Sequence, residues 1–347
     1  MSRNDGTEIR RAGSSGADKS RIMPGLAGVV GQDRLVSRLR QLLAQGVPGH
    51  AYAFTGAPGM GKRTLAHAFA AHWLCRAPDG APCGACQSCR MHAAGTHPDV
   101  CVIQPENRKI AIEAIRGMQA AFSERAAFGG HLCIIEQAEL MNEPAQNCLL
   151  KTLEEPPPNT LILLTTGAYD SLQTTIRSRV VRLPLDGYAT EELNRILERR
   201  AAGQATAFLA AFCQGVPGRA MTLLESRTLE ANRQRVLALL PEGQRGGSGL
   251  EALWRHLGEN KAEFAEATEL LQGLLRDLLA AREGADGRLI HTDKTDTIKK
   301  VARSRTREEW LAGMDKVEAI RLAVRDNLNH QLAVDALNAA LGPLFGQ

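Results

Sequence analysis

The run Gly56-Ala57-Pro58-Gly59-Met60-Gly61-Lys62-Arg63-Thr64 has the composition of a loop that closes on phosphate. Its glycines let backbone N–H groups gather around a polyphosphate, and Lys62 adds a point charge. An apolar strand, Ala51–Thr55, precedes the loop, and a helical pattern, Lys62–Trp73, follows it. The N-terminus of that helix contributes a partial positive charge to the same place. The residue after the lysine should be Ser or Thr, whose hydroxyl binds Mg²⁺; here it is Arg63. Thr64 comes one position late and points about 100° away around the helix. Nucleotide, ATP or ADP, is therefore expected to be held weakly, and its Mg²⁺ poorly.

A second departure follows the apolar strand Leu132-Cys133-Ile134-Ile135. A hydrolysing enzyme of this kind ends that strand with Asp-Glu, the first for the metal and the second to polarise the attacking water. This chain has Glu136-Gln137. Glu136 keeps a carboxylate, displaced by one methylene, but Gln137 cannot accept a proton, so the general base is missing. Two defects in one reaction predict a site that does not turn over.

Cys75, Cys83, Cys86 and Cys89 form a third group, spaced as two overlapping C-x2-C steps plus one further thiolate. Four thiolates at this spacing suit a closed tetrahedral Zn²⁺ site with no open position for catalysis. An iron–sulfur cluster and a DNA-contacting finger are the rivals. The absence of a dense basic flank favours a structural clip. Cys101, Cys133, Cys148 and Cys213 stand singly among apolar neighbours and read as small buried hydrophobes.

These groups need a frame. Ala51–Thr55, Val100–Ile103, Leu132–Ile135, Leu161–Thr166 and Val180–Leu183 are short apolar runs without alternation, as parallel strands buried on both faces require. Helical patterns lie between them at Gln32–Leu43, Lys62–Trp73 and Asn142–Glu155. The last has Asn142 as N-cap, Pro144 in its first turn and Pro156-Pro157-Pro158 as a stop. Alternation of this kind predicts an α/β fold with an open parallel sheet. Beyond Asp186 the strand signal ends. Helical patterns at Thr190–Arg200, Ala205–Gln214 and Arg219–Glu225 predict a small helical domain. After a Gly/Ser break at Gly243–Gly249, a second helical stretch carries apolar stripes at Leu270, Leu271, Leu274, Leu275 and Leu278 and over Met314–Leu341.

The 347 residues are enough for two or three domains. Aromatic residues are only 4%, which argues against a stacking surface for single strands, and a net charge of +4 permits nucleic-acid contact without demanding it. No apolar run approaches the ~20 residues of a membrane span. Residues 1–24 are polar, lack the apolar core of a signal peptide, and are expected to be a disordered leader, so a cytoplasmic location is expected.

Further motifs carry a resemblance: His97-Pro98-Asp99, Ile112-Glu113-Ala114-Ile115-Arg116, Met141-Asn142-Glu143, Leu149-Leu150-Lys151-Thr152-Leu153-Glu154-Glu155-Pro156-Pro157 and Ser178-Arg179. From about Val29 to Leu185, with Gly31-Gln32 and His50-Ala51-Tyr52 also matching, the chain resembles the delta-prime branch of the AAA+ clamp-loader family of bacterial DNA polymerase III. The likeness continues weakly at Gly218-Arg219-Ala220 and Leu328–Leu337. It implies an AAA+ P-loop domain over 25–185 with the zinc module inserted at 75–89, a helical lid over 186–227 and an all-helical collar over 228–347. It also implies that Arg179 acts as an arginine finger at a neighbour's ATP, although the family's Ser-Arg-Cys reads Ser178-Arg179-Val180 here. Thr165 or Thr166 resembles the sensor of the γ-phosphate, and Arg219 resembles the second sensor.

The implied partners are motor subunits of the gamma/tau type and a delta subunit in a hetero-oligomer. The sliding clamp and primed DNA are reached through the complex, and no membrane is involved. The chain is then part of a DNA-directed DNA polymerase holoenzyme without an ATPase activity of its own. Three alternatives stand beside this reading, one of them the delta subunit that opens the clamp, which typically lacks both the cysteine tetrad and the Ser-Arg motif. A gamma/tau-type hydrolysing subunit is disfavoured by Arg63 and Gln137, and a zinc-dependent nucleic-acid-binding module would reveal itself by salt-dependent DNA binding.

Overall fold

The structure, a computed structural model, describes residues 25–47, 49–77, 82–200, 206–242, 261–325 and 329–345. The expected leader and the Gly/Ser break lie outside the described residues. The chain divides into two compact units. The first reaches Glu192 and takes in Val216–Gly218; the second comprises Leu193–Gly215 and the chain from Arg219 onward.

The first unit is built on five strands, β1 (Ala51–Thr55), β2 (Val100–Ile103), β3 (His131–Ile135), β4 (Thr160–Thr166) and β5 (Val181–Pro184). They form one sheet in the order β2-β3-β4-β1-β5 with every neighbouring pair parallel. The sequence-expected runs are recovered with ends moved by a residue: β3 and β4 begin one residue earlier, and β5 begins and ends one later. All residues of β1, β3 and β4 are buried, which is why their sequences do not alternate.

Alternate side chains nonetheless go to opposite faces. Tyr52, Phe54, Leu132, Ile134, Leu161 and Leu163 join one core with Leu35, Leu39, Leu65 and Phe69 from helices α1 (Asp33–Ala44) and α2 (Lys62–Leu74). Ala53, Cys101, Cys133, Ile135, Ile162 and Leu164 join the other. Its helical side comes from α4 (Ile112–Ser123) and α5 (Glu143–Glu154), with Ile115, Met118, Leu149 and Leu153. A short helix, α3 (Gln87–Ala93), follows the cysteine loop, and a single turn, α6 (Thr174–Arg177), precedes β5.

Three of the lone cysteines, Cys101, Cys133 and Cys213, are buried as expected, and Cys148 is half-buried with its thiol donating to Gln119 Oε1. The side chain of Gln32 brackets the backbone of Asp186, its Oε1 accepting from the Asp186 amide at 3.2 Å. Gly31, at φ 72°, leaves room beside it, since a Cβ there would stand 2.7 Å from the Tyr188 ring.

Every described element of the second unit is helical. Leu270, Leu271, Leu274, Leu275 and Leu278 of the helix Lys261–Arg282 are all 0% exposed. The leucine stripe is therefore an internal core, together with Ile298, Val301, Trp310, Val317 and Leu337. Helices of the segment expected as a lid pack into the same unit. Phe212 lies against Gly273, and the Phe208 ring sits 5.1 Å from His291. The buried Asp277 carboxylate accepts from the amides of Ile290 and His291 and from His291 Nδ1, fastening that loop to the long helix.

Helix α5 starts where the sequence puts it. Asn142 Oδ1 accepts from the Ala145 amide at 2.9 Å, and a proline occupies the first turn. Replacing Asn142→Ala removes the cap and is expected to cost the first unit about 1 kcal/mol. The check is the urea transition reported by Trp73 in a chain whose other tryptophans are replaced by Phe.

Candidate functional site

Parallel strands send their carboxyl ends to one edge of the sheet, and ligand crevices form there. The phosphate-type loop leaves β1 at that edge, Glu136-Gln137 leave β3, and Thr165-Thr166 end β4. Gly59 and Gly61 turn at φ 80° and 89°, a left-handed conformation that only glycine adopts without strain. Lys62 folds back over the loop, its Nζ donating to Gly56 O at 2.6 Å and Ala57 O at 2.8 Å. Burial lowers its pKa, opposed by the charge of Glu139.

Arg63 and Glu136, the two departures in the sequence, meet here: Arg63 Nε stands 2.9 Å from Glu136 Oε1. The same oxygen lies 3.2 Å from His67 Nε2, and Gln104 donates to Oε2 at 3.2 Å. A buried carboxylate thus has an ion pair and two hydrogen-bond partners. Gln137 is exposed, at φ 54°, and its amide donates to Thr165 Oγ1 at 3.2 Å, tying the ends of β3 and β4 together. Thr166 Oγ1 accepts from the Ala168 amide. Thr64 is exposed on α2.

Two residues at this edge escaped the sequence reading. Glu139 Oε1 accepts from the Gly167 amide at 2.9 Å, and its Oε2 is buried without a partner among the described residues. Gly218 donates its amide to Gly59 O at 2.8 Å, and a Cβ there would stand 2.7 Å from Gly59 Cα. Neither carries a motif at the sequence level beyond the weak Gly218-Arg219-Ala220 likeness.

The two remaining arginines lie elsewhere. Arg179 precedes β5, whose Val181 pairs with Tyr52, four residues before Gly56. It therefore sits at the amino edge of the sheet, more than about 13 Å along the strand direction from the loop of its own chain. Its guanidinium is held by Glu154 Oε1 at 2.7 Å, Thr175 O at 2.9 Å and Ser178 Oγ at 3.3 Å. Arg219 belongs to the helical unit, where it pairs with Glu269 at 3.0 Å and stacks 4.9 Å from the Phe212 ring centroid.

The cysteines form a compact second centre. Cys75 ends α2, Cys86 caps α3 and Cys89 lies in its first turn. All four Sγ atoms lie within 4.8 Å of one another; sulfurs bound ~2.3 Å from one zinc stand ~3.8 Å apart in a tetrahedron, so the set fits. Amides already point at the sulfurs, Cys83 N to Cys75, Cys86 N to Cys83 and Cys89 N to Cys86, at 3.2–3.4 Å. The amides of Cys89 and Arg76 pull the Cys86 thiol down to about 6, while burial pushes Cys89 up to about 12.

His97-Pro98-Asp99 braces this centre. His97 Nδ1 accepts from the Asp99 amide, which leaves the Nε2 proton for Ser88 Oγ at 2.9 Å, and Ser88 donates to Leu74 O. The Asp99 carboxylate takes the amides of Ala127 and Phe128.

A two-sided parallel sheet, a phosphate-type loop on β1 and an altered acidic pair on β3 define an AAA+ P-loop subunit. A family profile described as DNA polymerase III, delta subunit, matches residues 31–188. The DNA polymerase III subunit delta′ of Pseudomonas aeruginosa is 40% identical over 51% of this chain, which spans 56% of that protein. The Escherichia coli subunit delta′ is 34% identical over 68% of this chain and 71% of its own length. The Escherichia coli subunit tau is 29% identical over 65% of this chain and 41% of its own. The chain belongs to the delta′ family of DNA polymerase III subunits.

The cysteine geometry predicts about one Zn²⁺ per chain by elemental analysis of freshly purified protein. Cys86→Ser is expected to lose the metal and lower the thermal midpoint of the first unit. Iron in place of zinc, or no metal, contradicts this assignment.

Proposed function

We propose that this chain serves a clamp loader as a subunit that does not hydrolyse ATP and instead completes the ATP site of a gamma/tau-type neighbour. The observation that carries this reading is the placement of Arg179. It stands at the sheet edge opposite its own loop, so any phosphate it serves belongs to another subunit. Arginine suits that task because its charge is permanent and its planar donors engage two oxygens at once. The own site supports the passive half of the reading: Gln137 is no base, and Glu136 is already committed to Arg63, His67 and Gln104.

In this reading Thr165, Thr166 and Arg219 are remnants of nucleotide sensing. Thr165 now serves the β3–β4 connection, and Arg219 serves the helical unit through Glu269. The four cysteines hold a structural Zn²⁺. Residues 186–227 act as the lid and 228–347 as the collar that joins motor and delta subunits. The sliding clamp and primed DNA are reached through the assembly, in the cytoplasm. No helix among the described residues is long and apolar enough to cross a membrane.

Two outcomes follow. The isolated chain should release no phosphate from ATP above background; turnover at ordinary enzyme rates that Lys62→Ala abolishes would contradict the passive role. In the reconstituted complex, Arg179→Ala should assemble normally yet load clamps slowly. A finger that is the sole catalytic cation contributes ~10³–10⁵ in rate, and less where several ATP sites share the work. Combined with a neighbour that cannot hydrolyse ATP, Arg179→Ala should add almost nothing, because both changes disable one site. Clamp-dependent ATPase and loading assays check both; full additivity excludes the finger.

A further inference from the structure

A metal site on a phosphate-binding loop normally takes the hydroxyl that follows the lysine and a carboxylate from the end of a neighbouring strand. In this chain a guanidinium stands where the hydroxyl belongs, and the carboxylate is ion-paired with it, Arg63 Nε lying 2.9 Å from Glu136 Oε1. The other Glu136 oxygen takes Gln104, and His67 shares the first. A divalent cation here would face a permanent positive charge a few ångströms away and find both Glu136 oxygens already engaged. These residues do not fit Mg²⁺.

They do fit a polyphosphate. Gly56, Gly59 and Gly61 all have positive φ, which leaves the loop amides unobstructed by side chains. The loop runs into the 13-residue helix α2, whose first turn has no acidic residue. Lys62 is bonded to two loop carbonyls, contacts it can exchange for phosphate oxygens. The Arg63 side chain is 57% exposed, and only its Nε is engaged among the described residues, so both Nη groups are open to an anion. The Glu139 carboxylate acts on Lys62 against the effect of burial, and the Gly167 amide engages one of its oxygens.

We infer that the loop binds the di- or triphosphate of a nucleotide without a divalent cation, with Arg63 supplying the positive charge in place of the metal and Glu136 holding Arg63 at its post. The two departures are then one matched exchange, metal and hydroxyl for guanidinium. Such a site retains nucleotide and has no means to activate water. The inference is independent of Arg179.

Isothermal titration of the full-length chain with ADP, and separately with ATP, decides it. In EDTA the dissociation constant should equal that in magnesium. Arg63→Ala should weaken binding about tenfold, the worth of one charge-assisted contact. Arg63→Ser restores the hydroxyl and frees Glu136, so its binding should become stronger in magnesium than in EDTA. Circular dichroism and zinc content confirm that each variant is folded. No binding to the wild-type chain in either buffer, a magnesium requirement in the wild type, or unchanged affinity in folded Arg63→Ala overturns the inference. The wild-type comparison decides the matter even if a variant fails to fold.

Discussion

The parallel direction of all five strands is the constraint on which the chemistry of this chain depends. Parallel neighbours must be joined by crossovers, so every carboxyl end reaches one edge and every amino end the other. The loop after β1, Glu136 after β3 and the threonines ending β4 are brought together by that rule alone. The same rule sends Arg179, which precedes β5, to the far edge. A single topological fact thus separates the phosphate-type loop from Arg179.

Within that frame, the altered site is rebuilt rather than decayed. A carboxylate as buried as Glu136 needs partners, because an unpaired buried charge is costly. Arg63 is its charged partner, and His67 and Gln104 complete the set. The cysteine cluster shows a comparable economy. Four thiolates gathered within 4.8 Å of one another would let one ion tie the segment to the ends of α2 and α3. The chain His97–Ser88–Leu74 O then fixes the module to the end of α2 through one defined imidazole tautomer.

Much of this was legible from residue order. The strands betray themselves as unbroken apolar runs, α5 by its Asn142 cap and proline stop, and the cysteine cluster by its metal-ligand spacing. Charge pairs between distant elements have no such signature. Arg63 and Glu136 read as two separate losses because nothing periodic links the start of α2 with the end of β3. Arg179 and Glu154 were likewise singled out in different motifs, and only the packing of α5 beside β5's approach joins them. The leucine stripe of the helix Lys261–Arg282 fits a subunit interface or an internal core equally well by pattern. Burial of all five leucines inside one unit decides for the core.

The pair Arg179–Glu154 offers the most direct view of the proposed role. It is half exposed, and exposed ion pairs contribute only ~0–1 kcal/mol, so a neighbour's phosphate can draw the guanidinium away at little cost. Cryo-electron microscopy of the assembled clamp loader, trapped with ADP and a fluoride mimic of the transferred phosphate, observes this directly. The account predicts the Arg179 guanidinium within hydrogen-bonding distance of the mimic on the adjacent motor subunit. Arg179 still bound to Glu154 and remote from every nucleotide in that complex would contradict it.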